Sequence, residues 1–107
     1  MKIGWKNFFT KLKVKDYNMT KIEIKLSNRY KNKLGIGPTA KKIFQEVNDY
    51  DEVILNFENI EFMSRSFAQE YVFQKFNSQS KITEINMNES IKKLLKMVNE
   101  EYEEYFR

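Results

Sequence analysis

Apolar and polar residues alternate from Thr20 to Ser27. Ile22, Ile24 and Leu26 fall on one face, and Lys21, Glu23 and Lys25 fall on the other. A period of two marks a strand with one wet face. Leu12 and Val14 alternate in the same way with Lys11, Lys13 and Lys15, and Asp16–Tyr17–Asn18 supplies turn residues between the two stretches. The pattern predicts two antiparallel strands, preceded by the apolar residues Trp5, Phe8 and Phe9. Asn28 to Gly37 reads as a polar, basic loop. Pro38 suits the first turn of a helix, and Ala40, Ile43, Phe44 and Val47 then recur at helical spacing. Asn48–Asp49–Tyr50–Asp51 closes that helix.

Val53–Ile54–Leu55–Asn56–Phe57 is a nearly continuous apolar run, which suits a central strand buried on both faces. Glu58–Asn59 begins a turn, and Ile60–Glu61–Phe62–Met63 returns toward the core. Ser64 or Ser66 can cap a second helix, whose apolar stripe is Ala68, Tyr71, Val72 and Phe76. Phe67 and Phe73 lie partly off that stripe. Ile82 to Met87 is a further candidate strand. Asn88 caps a long helix, with Ile91, Leu94, Leu95, Val98 and Tyr102 on one face. Glu89 suits its first turn, whereas Glu100, Glu101, Glu103 and Glu104 crowd the end that prefers cations. Strands alternating with helices predict an α/β fold: a small mixed sheet of about four to five strands with about three helices packed on it. One domain spans residues 1–107, with 1–19 as an extension or edge strand.

Composition narrows the chemistry. The 107 residues contain no Cys and no His. Disulfide frameworks and thiolate or imidazole metal sites are excluded, as are Cys nucleophiles and Ser–His relays. Neither a cofactor nor a metal is expected. Carboxylate catalysis would have to use residues such as Glu58, Glu61 and Glu70, which read as solvated turn and helix positions. No stretch approaches the roughly 20 apolar residues of a membrane span, and Met1–Lys6 lacks an apolar signal region, so a cytoplasmic protein is expected.

Charge divides the chain. Residues 1–42 hold 12 Lys and Arg against 2 Asp and Glu, and the remainder holds 7 against 13. A basic front half can steer acidic partners. Lys11, Lys13, Lys15, Arg29, Lys31 and Lys33, with Tyr17 and Tyr30 nearby, form the candidate surface if the partner is nucleic acid. The alternative is a solvated surface whose two halves attract each other. An exposed strand edge would also allow a homodimer by sheet extension.

The stretch Phe62–Met63–Ser64–Arg65–Ser66–Phe67–Ala68–Gln69–Glu70 joins a strand to a helix. A helix start presents free N–H groups and partial positive charge, where hydroxyls cap and a phosphate is tolerated. With Val53–Phe57 before it, this stretch resembles the STAS-like domains of the DUF4325 family. Gly37–Pro38–Thr39–Ala40–Lys41–Lys42–Ile43 resembles the family's earlier helix start, and Ile85–Asn86–Met87–Asn88 its late strand-to-helix junction. The resemblance spans roughly residues 20–98.

It implies a small α/β regulatory domain that binds a protein partner, such as an ATPase or kinase of the GHKL type. By that resemblance Ser66 is the phosphoacceptor candidate, with Ser64 beside it. Ser64 stands where anti-anti-sigma factors carry Asp, Phe67 where they carry Gly, and Asn56 where this family usually has Asp. The partner-binding candidates are Arg65, Phe67, Glu70 and Phe73.

Overall fold

The 53–57 run becomes the middle of a parallel sheet. The structure is a computed structural model and describes residues 19–106. Along the chain run β1 (Lys21–Lys25), α1 (Ser27–Tyr30), β2 (Lys33–Leu34), α2 (Gly37–Val47), β3 (Glu52–Asn56), β4 (Phe62–Met63), α3 (Arg65–Asn77), β5 (Lys81–Ile85) and α4 (Glu89–Phe106). The main sheet has the order β1-β3-β5, and β2 pairs with β4 in a separate two-stranded sheet. Every pairing among the described residues is parallel.

The fold class is the predicted α/β. Among the described residues both sheets are wholly parallel, each connection being long enough to return over a face. The predicted antiparallel partner at Leu12 and Val14 lies outside the described residues. Four helices form rather than three, since the stretch 28–37 holds α1 and β2 instead of being loop throughout.

Register explains the core. Ile22 pairs with Val53 and Ile24 with Leu55, while Val53 pairs with Ile82. Ile24, Val53 and Leu55 join the buried residues of α2, α3 and α4 in one cluster. The intervening Lys21 and Glu23 are exposed, as the alternation requires. The three long helices therefore form one layer on one face of the sheet. Val53 and Leu55 are sealed on that face, whereas Ile54, between them, is only half-buried on the other.

On α3 the buried residues are Phe67, Ala68, Tyr71 and Val72. The expected stripe placed Phe76 in the core and Phe67 off it; the structure reverses both. Phe67 is 1% exposed and Phe76 is 66% exposed.

Helix starts are fixed by side chains. Ser64 Oγ accepts from the Phe67 N–H at 3.0 Å, which makes it the cap of α3. Asn88 Oδ1 accepts from the Ile91 N–H at 2.8 Å at the start of α4. Its Nδ2 donates to the Ile60 carbonyl at 3.1 Å, tying α4 to the turn after β3. Replacing a cap by Ala costs about 0.5–2 kcal/mol. Asn88→Ala removes the cap and the tether together, so a loss of about 1–2 kcal/mol is expected from urea unfolding. A change below about 0.3 kcal/mol would show that neither bond holds α4.

Candidate functional site

The short β2–β4 ladder decides where α2 and α3 begin. Leu34 pairs with Met63, and the Ser64 N–H donates to the Leu34 carbonyl at 2.9 Å. Ser64 Oγ donates in turn to the Gly35 carbonyl at 2.8 Å. The starts of α2 and α3 are thereby pulled together. A Cβ on Gly37 would stand 2.6 Å from Ser66 Oγ and 3.3 Å from the Ser66 carbonyl oxygen. Gly37 is needed for this close approach.

The two serines consequently differ. The Ser64 hydroxyl is used twice, as acceptor and as donor, in holding the helix start. Ser66 is exposed on the first turn of α3, with its hydroxyl against the α2 start. Arg65 is exposed and pairs with Glu101 of α4, which raises the guanidinium pKa. Glu70 is half-buried, and its carboxylate accepts from Gln74 Nε2 at 2.7 Å. Phe67, expected at a partner surface, is instead core and stacks on Tyr71 with ring centroids 6.2 Å apart. Its place at the first buried turn of α3 is why.

Phe73 is 44% exposed and stands on a cluster that sequence reasoning did not assemble. Its ring meets Tyr102 of α4 edge-on at 6.3 Å, and Phe76 lies 5.1 Å from the same ring. Tyr105 is 83% exposed beside them. Gln69, Phe73, Val98, Glu101, Tyr102 and Tyr105 line a cleft of about 350 Å³. The i, i+3 spacing of Tyr102 and Tyr105 on the last helix was the available signal.

The basic candidates are distributed. Arg29 pairs with Glu46 of α2, which raises its pKa first, with Tyr30 adding to the effect. Lys31 and Lys33 are exposed on the α1–β2 stretch, whereas Tyr30 is packed against the core. Lys11, Lys13, Lys15 and Tyr17 lie outside the described residues. The three carboxylates considered for catalysis are engaged separately. Glu58 pairs with Lys25 at 3.4 Å, Glu61 accepts from Asn32 at 3.2 Å, and Glu70 from Gln74. Among the described residues there is no cluster of three acidic side chains that could hold a metal ion. No helix among them is long and apolar enough to cross a membrane.

Strand order adds a constraint. In open parallel sheets ligands collect where the order of strands reverses. The order β1-β3-β5 advances in one direction and has no such point among the described strands.

Tyr71 is the hub of the buried aromatic residues. Its ring meets Phe44 and Phe57 edge-on at 5.5 and 6.1 Å. Its hydroxyl donates to Glu84 Oε2 at 2.5 Å. Burial, and then the Glu84 charge, push its pKa well above the ordinary 10.0. Below that value both folded and unfolded chains hold the proton, so the stabilisation is complete. Above it the unfolded chain loses the proton first, and stability falls as pH rises.

Wild type should therefore lose stability more steeply above about pH 10 than Tyr71→Phe, by up to about 1.4 kcal/mol per pH unit. Parallel profiles for the two in urea unfolding would refute this. Gly37→Ala should cost about 1–3 kcal/mol by overpacking. Combining it with Ser66→Ala should recover part of the loss, and simple additivity would mean that the two residues do not meet.

Comparison with family models, with curated proteins and with solved structures finds no match for this chain.

Proposed function

We propose that this chain is a non-catalytic, STAS-like interaction domain that docks a protein partner through the outer face of α3 and the C-terminal half of α4. The observation that carries the reading is the exposed aromatic group Phe73, Phe76 and Tyr105 around Tyr102, bordering the cleft of about 350 Å³. Aromatic side chains supply large contact area at low entropic cost, and exposed apolar patches of this kind mark interaction surfaces. Arg65 and Glu101 form a charged rim at its edge. Ser66 opens the same helix, so a phosphoryl group there would add nearly two negative charges beside the docking face. The resemblance of 53–70 to the STAS-like pattern supports a regulated contact of this kind, with an ATPase or kinase-like partner.

The test uses tagged full-length chain to retain proteins from its native host, identified by mass spectrometry. Phe73→Ser with Tyr105→Ser should abolish retention of the partner while circular dichroism stays unchanged. Binding of the recovered partner should weaken by about tenfold or more with Ser66→Asp and stay unchanged with Ser66→Ala. An unchanged set of retained proteins in the aromatic variant would refute docking at this face. Equal affinity for wild type and both Ser66 variants would refute the switch alone.

A further inference from the structure

A second cleft, of about 410 Å³, opens between α3, α4 and β5. One residue there breaks the pattern of the sheet. Ile82 and Glu84 share the helix-facing side of β5, because their register partners Val53 and Leu55 are both core residues. A carboxylate therefore stands where the packing asks for an apolar side chain. Such local violations in an otherwise consistent fold point to a site. The carboxylate is also held in place. Tyr71, 2% exposed, donates its hydroxyl to Glu84 Oε2, and Lys75 Nζ lies 3.1 Å from the same oxygen. Glu84 Oε1 accepts no hydrogen bond from the described residues, although Glu84 lines the cleft.

The remaining lining sets the chemistry of an occupant. Val72, Phe76, Met87 and Leu95 supply apolar wall. Lys92 and Lys96, one turn apart on α4, supply cationic rim. Lys75 already balances Glu84, so within the lining itself these two lysines are the remaining cations. Their partners within α4 are Glu89 at 3.5 Å and Glu100 at 3.7 Å, exposed pairs that exchange readily for a ligand anion. The volume lies in the range of small-molecule sites.

We propose that this cleft binds a small organic anion with an apolar, ring-sized body and an N–H donor: the body on Val72, Phe76 and Leu95, the anion on Lys92 and Lys96, the donor on Glu84 Oε1. Phe76 is common to this site and the protein-docking face, whereas Phe73, Tyr105 and Ser66 lie outside this lining, so variants at those three positions separate the two.

1-Anilinonaphthalene-8-sulfonate carries all three features, and N-phenyl-1-naphthylamine lacks only the sulfonate. Fluorescence titration of the full-length chain at low salt should give saturable binding of the sulfonate. The neutral probe should bind about tenfold more weakly. Lys92→Glu with Lys96→Glu should erase that preference, and Phe73→Ser with Tyr105→Ser should leave it intact, each variant being checked by circular dichroism. Backbone amide shifts in the wild type should move at Met87, Leu95 and Lys96. The proposal is overturned by absence of saturable binding, by equal affinity for the two probes, or by binding that follows Phe73 and Tyr105 instead of the lysines.

Discussion

Parallel pairing on both sides of β3 is the constraint that organises this molecule. Neighbouring parallel strands cannot be joined by a tight turn, so each connection must travel back along the sheet. The path from β1 to β3 contains α2, and the path from β3 to β5 contains α3. Packing of α2 on α3 and of α3 on α4 places all three helices side by side. Burial of Val53 and Leu55 at 0 and 1% exposure follows from that layer, as does the central place of Tyr71. Remove the parallel register and neither cleft has walls.

Polar groups then set fine position. The β2–β4 ladder contains only two residue pairs, yet it carries the Ser64 hydroxyl bonds that fix the start of α3 against the α2 start. Asn56 acts similarly on the reverse face. It is 8% exposed, its Nδ2 donates to Glu23 at 3.1 Å, and its Oδ1 accepts from Asn86 at 3.1 Å and from the Glu58 N–H at 3.0 Å. A buried amide satisfied on both ends fixes one arrangement of the strand ends. Its N–H donors suit the neighbouring Glu23 carboxylate better than a second acid would.

The sequence revealed those elements whose signal is local. Alternation at 21–26, the apolar run at 53–57, and the caps Ser64 and Asn88 each depend on near neighbours, and each was legible. The structure differs where position is decided by distant partners. Helix α3 carries Phe67, Ala68, Tyr71, Val72, Phe73 and Phe76, which circle most of the helix, so periodicity alone could not choose its buried side. Packing on α2 and α4 chose Phe67 for the core and left Phe76 outside. Strands β2 and β4 are too short to show any period and exist through their mutual bonds. Of the candidate site, Ser66 was legible as a residue at a helix start and Phe73 as an aromatic partly off the apolar stripe. Tyr102, Tyr105 and the inward carboxylate of Glu84 were not, because Ile82–Thr83–Glu84–Ile85 has no alternation to assign a face.

Helix α4 forms a wall of both clefts, each of which it shares with α3. Its tilt is therefore a variable common to the two surfaces. A molecule that moved α4 away from α3 in one cleft would alter the width of the other, and by thermodynamic reciprocity the influence would run equally in both directions. Pinned at its first turn by Asn88 and braced further along by the Arg65–Glu101 pair, the helix has the build of a lever with a fixed end and a breakable catch.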